Sequence, residues 1–316
     1  MKTQKLICLL TCILSLAACG GDDEPIVIHQ GTKPINSDTS ANSNRNTTGP
    51  QEAQTRYEFP HLRMDADNET IVHATDTYGM TYALEWDHAR KATRWVCWEM
   101  DGSNRQERYS RSQLWPNGDP WAYDPLVPMS EQQQTYNELS NSFFPGYNAS
   151  MHSKGDYLYQ KGHICASQDR IYDPKANEQT FYMTNIMPMV GNFNGKLWAK
   201  LEGQVRTWGK NCDTLYICKG GTIDKNEYIL DHTIGGHIVP KFFFMALLRK
   251  SQQGLKAIGF WMEHRNEDLS GDKLSKYART IDQLEELTGI DFFCNLPDKT
   301  EDEAEQSYSL SDWNLQ

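Results

Sequence analysis

The stretch from Tyr157 to Glu202 constrains this chain more than any other. It contains YLYQKGHICASQDR, then TFYMTNIMPM, then GNFNGKLWAKLE. These read as a strand carrying His163, a second strand ending at Asn185, and a helix beginning at Asn194. From Asn194, the residues Leu197, Trp198, Leu201, Val205 and Trp208 recur at helical spacing and define one amphipathic helix to about Gly209. Asn194 offers a neutral amide oxygen to a hard cation such as Mg²⁺, which prefers oxygen ligands and keeps several waters. Glu202 lies eight residues further on, about two helical turns, so the same face is expected to bring it to metal-bound water. Phosphodiester hydrolysis needs a base for water, a cation for the charge on phosphorus, and an eased departure of the leaving oxygen. A histidine facing an asparagine and a glutamate fits those needs.

The surrounding pattern sets the fold class. Tyr82–Trp86 and Arg94–Met100 read as strands joined by the polar loop 87–93, and Leu215–Cys218, Phe242–Leu248 and Ala257–Met262 read as further strands. A second helix is predicted from about Leu274 to Leu287, closed by Gly289. Strands and helices do not alternate regularly, which disfavours a doubly wound parallel sheet. The expectation is an α+β domain with a mainly antiparallel central sheet flanked by helices, spanning residues 57–297. The acidic tail 298–316 is expected to be flexible.

Residues 1–18 read as a signal segment: Lys2 and Lys5, an apolar run from Leu6 to Leu16, then Ala17 and Ala18. Leu16-Ala17-Ala18-Cys19 resembles the lipobox of bacterial lipoproteins, which implies lipidation at Cys19 and a membrane anchor. Residues 19–56, rich in Ser, Thr, Asn and Gly, are expected to form a disordered tether. The location implied is the bacterial cell envelope, on the periplasmic side or the cell surface. Cys97, Cys165, Cys212, Cys218 and Cys294 remain in the body without zinc-type spacing, and no pairing among them is readable. The formal net charge of −11 argues against a nucleic-acid binder that works by bulk electrostatics. It leaves room for an enzyme that meets phosphate through a metal and a few local cations.

The motifs resemble the DNA/RNA non-specific endonucleases, whose sites carry a ββα-metal (His-Me) finger. The family's D-R-G-H corresponds to Gln160-Lys161-Gly162-His163, its S-x-D-R to Ser167-Gln168-Asp169-Arg170, and its strand ending in S-N to Thr184-Asn185. The N-x-G-x-W-x-x-L-E helix is echoed from Asn194 to Glu202, with the glycine one place early. Tyr123–Pro128, Gly235–Phe243 and Ile281–Phe293 resemble other segments of the family in the right order, so the likeness covers about residues 78–297. The resemblance implies that His163 is the general base and that Asn194 binds Mg²⁺, with Mn²⁺ as an alternative. It implies that Glu202 grips the metal through water and that Asn185 keeps base and metal in register. Lys161 would stand where the family has an arginine beside the scissile phosphate, and Gln160 where it has an acid. Lysine offers a mobile point charge in place of a planar fork, so that change is not neutral.

The substrate implied is DNA and RNA, met through the phosphate backbone and cleaved with little sequence preference. Two other functions stay open from the residues: a non-enzymatic binding lipoprotein on a degenerate nuclease fold, and a phosphodiesterase acting on small nucleotides. Oligomeric state is not readable. Trp198 and Leu201 are assigned to core packing, Cys165 to packing, and His237 to a turn. Arg90, Lys91, Arg94, Arg105, Arg108 and Arg111 form the densest basic region, either to steer phosphate or as plain solvated surface.

Overall fold

The computed structural model describes residues 41–132, 139 and 141–315. The signal segment, Cys19 and the first part of the expected tether lie outside the described residues. Seven strands form one antiparallel sheet: β1 (Asn68–Thr75), β2 (Gly79–Asp87), β3 (Ala92–Met100), β6 (Thr214–Gly221), β9 (Phe242–Ser251), β10 (Gly254–Glu263) and the short β11 (Ala278–Arg279), in that spatial order. Two separate hairpins, β4 (Tyr159–His163) with β5 (Ile186–Val190) and β7 (Ile229–His232) with β8 (Ile238–Pro240), stand apart from it.

The α+β class with a mainly antiparallel sheet is therefore the observed one. Its central strands look uniformly apolar because both faces are covered. Leu84, Val96 and Trp98 point into a core shared with Leu197, Trp198 and Leu201, whereas Ala83, Trp95 and Cys97 point into a second core with Ile281, Leu284 and Phe292. Strand alternation sends neighbours to opposite faces, and here each face has helices to meet.

Three boundaries differ from the sequence reading. The second helix begins at Ile281, not Leu274, because Thr280 and Gln283 form a reciprocal capping box there. Gly289 closes that helix at φ 71°, a left-handed position that suits glycine. The tail is not loose. It forms a helix, Asp298–Glu305, and continues to Trp313, which is fully buried and packs edge-on against Trp208 at 4.9 Å. Acidic composition conceals a few apolar anchors: Ala304, Tyr308 and Trp313 face inward. Part of the tether is likewise folded: Asn46 is buried, takes Leu62 N at 3.0 Å, and donates to the carbonyls of Ala53 and Pro60. The folded body thus starts by residue 41 and runs to 315.

The five cysteines of the body are free thiols. His237 lies in the predicted turn, where Gly236 takes φ 83° and donates its N–H to Thr233. Among the described residues no helix is long and apolar enough to cross a membrane.

Candidate active site

The β4–β5 hairpin pairs Lys161 with Pro188 and His163 with Ile186. Lys161 and His163 are two apart, so they share one strand face. Between them Gly162 presses on β5, where a Cβ would lie 2.3 Å from Met189 Sδ, so any larger residue would force the buried Met189 side chain to move. Behind His163 the chain turns under Asn185. That side chain takes Cys165 N–H at 2.7 Å and donates to the carbonyls of Cys165 and Thr180, at 2.9 and 2.7 Å. Asn185 is fully buried and its amide is spent on backbone. It braces the turn after the histidine from behind, through backbone contacts alone.

The cleft has a volume of about 420 Å³, and its walls include Arg111, Asp119, Trp121, Gln160, Lys161, His163 and Asn194. Trp121 and Asp119 arrive on a loop held from behind. Asp124 is buried, accepts from Thr184 Oγ1 at 2.6 Å, and lies 2.9 Å from His73 Nε2, while Ala122 exchanges backbone bonds with Phe181 and Met183. Arg111 grips Asp119 with both ends of its fork, at 2.7 and 2.5 Å, and lies 4.8 Å from the Phe181 ring centre. That grip holds the Asp119 carboxyl below its ordinary range.

His163 sits in an aromatic corner, tilted on Trp121 at 5.2 Å and edge-on to Phe181 at 5.1 Å. Its Nε2 is buried and makes no hydrogen bond to any described residue. Burial, with the positive charges of Arg111, Lys219 and Lys161, pushes its pKa down to about 3 against the pull of Asp119. The imidazole is therefore neutral, with an acceptor lone pair available. Lys161 Nζ rests 4.3 Å from the Trp121 ring centre. Burial lowers its pKa to about 8, although Asp119 works the other way.

Asn194 donates Nδ2 to Gln160 Oε1 at 2.9 Å, which fixes the amide and turns its oxygen away from Gln160. The residue is the second of a π-helical segment, Phe193–Trp198, that runs into the helix Ala199–Lys210. In a pure α-helix eight residues would overshoot two turns by about 80°. A π turn takes up one extra residue, so the eight steps to Glu202 come close to two whole turns. Glu202 does not line the cleft. One of its oxygens lies 2.7 Å from Nζ of Lys219 on β6, a lysine only 1% exposed and flanked by the rings of Trp98 and Trp198. Burial raises the Glu202 pKa while Lys219 opposes the rise.

The basic region of the sequence disperses. Arg94 is buried against Glu85, Asp87 and Asp224, Arg90 pairs with Asp87, Arg105 caps carbonyls, and Arg108 donates to Tyr78. Of that run, Arg111 lines the cleft. Asp119, Trp121 and Lys219 were absent from the sequence-derived site, since nothing in their spacing ties them to His163.

A histidine on a two-stranded hairpin, beside a helix that presents Asn194 and then Glu202, defines a ββα finger mounted on an antiparallel sheet. The sequence profile of the DNA/RNA non-specific endonucleases matches residues 67–299. The chain belongs to that family. A nuclease of Nostoc sp. (strain PCC 7120 / SAG 25.82 / UTEX 2576) is 25% identical over 227 residues, 68% of this chain and 72% of that protein. Human mitochondrial endonuclease G is 25% identical over 146 residues, 44% of this chain and 49% of that one, so the matched region spans about half of its length. The mitochondrial nuclease of Saccharomyces cerevisiae (strain ATCC 204508 / S288c) is 26% identical over 223 residues, 62% and 67% of the two chains. The crystal structure of an EndoG/EndoGI complex superimposes with a TM-score of 0.57 at 20% identity, over 81% of this chain and 96% of that one, and shares the fold.

Proposed function

We propose that this chain is a metal-dependent endonuclease that hydrolyses phosphodiester bonds of DNA and RNA with little sequence preference. The observation that carries the reading is His163: a neutral, half-buried imidazole in the wall of a cleft that also holds Lys161, Arg111 and Asn194. The donor set suits Mg²⁺, because the Asn194 amide oxygen is a hard neutral ligand that leaves room for waters. When bound there, Mg²⁺ would supply Lewis-acid stabilisation of the phosphate charge and of the leaving 3′ oxygen. Asn194 would hold it directly, and Glu202 would reach its waters through the oxygen not taken by Lys219.

His163, half-buried in the cleft wall, accepts the proton of the attacking water on the lone pair of its neutral ring. The aromatic corner of Trp121 and Phe181 orients that ring. Lys161 and Arg111 offer positive charge to the phosphate backbone, and neither reads a base, which accounts for weak sequence preference. The signal segment and Cys19 support placement at the bacterial cell envelope through a lipid anchor, in reach of extracellular or periplasmic nucleic acid.

Supercoiled plasmid incubated with the protein in Mg²⁺ or EDTA, beside His163→Ala, tests the reading. Mg²⁺-dependent nicking that His163→Ala loses is expected. No nicking by folded protein with Mg²⁺ or Mn²⁺ would instead favour a binding module or a small-nucleotide phosphodiesterase.

A further inference from the structure

On the sheet face opposite the finger lies a second set of ionisable groups that the nuclease chemistry does not use. Asp282 and Glu285 stand three residues apart on the helix Ile281–Thr288, so they share one of its faces. Glu305 ends the helix Asp298–Glu305. Carboxylate oxygens of all three lie within 4.8 Å of one another; Asp282 is exposed, Glu285 half-buried and Glu305 buried. The group is thus open to solvent on one side and closed by protein on the other.

Neighbouring acids are already accounted for. Asn44 Nδ2 donates to Glu301 at 2.9 Å and to Asp291 at 3.3 Å, and Glu285 Oε1 takes Phe292 N–H at 2.6 Å. Glu305 differs: the residue is 6% exposed, and its Oε1 is buried without a hydrogen-bond partner. An unsatisfied carboxylate oxygen and three converging like charges are both costly, and a single cation relieves both. Ca²⁺ holds oxygens at about 2.3–2.6 Å, so two of its ligands can stand up to about 5 Å apart; Mg²⁺, at about 2.0–2.1 Å, needs a tighter triangle.

We propose that Asp282, Glu285 and Glu305 form a binding site for a hard divalent cation of the Ca²⁺ class, which fastens the C-terminal helix to the helix Ile281–Thr288. Waters entering past Asp282 complete the coordination.

The test uses the full chain with Asn194→Ala, so that binding at the finger does not contribute, stripped with EDTA and titrated with Ca²⁺. One equivalent is expected to bind, counted by calorimetric titration. At a hundredfold excess over Kd, Tm is expected to rise by about 5–10 °C. Adding Glu305→Gln or Glu285→Gln should abolish both effects while the protein still melts cooperatively in EDTA. Asp282→Asn, on an exposed residue, should weaken Ca²⁺ at least tenfold. No response in the Asn194→Ala chain, or an equal response in the Gln and Asn variants, overturns the site, whatever the plasmid assay gives.

Discussion

The cleft beside His163 and the carboxylate group beside Glu305 occupy opposite faces of one sheet, and burial acts on them in opposite senses. In the cleft, burial first and the surrounding cations second hold a histidine neutral, with a pKa of about 3. In the carboxylate group, burial first and the neighbouring acids second hold an acid protonated, with a pKa of about 11. An unfolded histidine binds a proton below about 6.5, so between there and pH 3 the unfolded chain holds more protons at that site, and stability rises with pH. An unfolded glutamate loses its proton above about 4.3, so above that pH the folded chain holds more, and Glu305 makes stability fall as pH rises. Each region thus prefers the pH that the other resists. What separates them is which form burial leaves neutral and which neighbours it has.

The largest expected effect comes from the cleft. His163→Ala should lower plasmid cleavage by about 10²–10⁴-fold, the usual range for a positioned proton acceptor, while the urea midpoint stays near that of the wild type. Cleavage within a few-fold of wild type would remove His163 from the chemistry. Next comes Lys219→Met, which leaves Glu202 without its partner and should cost about 3 kcal/mol in urea unfolding. Adding Glu202→Gln to that variant should recover most of the loss, and an unchanged midpoint in the single variant would break the buried pair as a stability element.

A smaller effect concerns pH. If the charge on Lys161 serves the phosphate, cleavage should fall toward tenfold per unit above about pH 8, the value to which burial lowers it. In Lys161→Arg that fall should move beyond the measured range, because a guanidinium stays charged. An alkaline limb identical in both proteins would assign it elsewhere. The smallest effect belongs to the carboxylates. In EDTA, Glu305→Gln should raise stability at pH 8 by about 1 kcal/mol and flatten the loss that wild type shows from pH 5 to 8. A variant less stable than wild type at pH 8 would contradict the repulsion.

The residues that announced the site were those whose chemistry depends on local spacing. Gly162 beside His163, and the interval from Asn194 to Glu202, follow from strand and helix periods and were legible in sequence. Asn185 was legible as a residue that keeps the site in register, but not the backbone groups of Cys165 and Thr180 that it grips, because those contacts leave no pattern in the sequence. The π turn at Phe193–Trp198 leaves no mark in apolar periodicity strong enough to read. Lys219 was hidden for a different reason: it comes from the middle of an apolar strand, and its partner Glu202 lies seventeen residues earlier. Arg111 and Asp119 sit about fifty residues before His163 and join it only through the loop that Asp124 anchors. At the C-terminus, average charge outweighed the few anchors that matter, so an ordered segment read as a loose one.

That last segment has a consequence for the helix that carries Glu202. Trp208 gives its indole N–H to the carbonyl of Trp313 at 2.9 Å, and the two rings meet edge to face. Clipping the chain after Glu305 would strand a buried indole N–H and strip one wall from the core beneath that helix. The finger is thus propped from below by residues far from its own sequence.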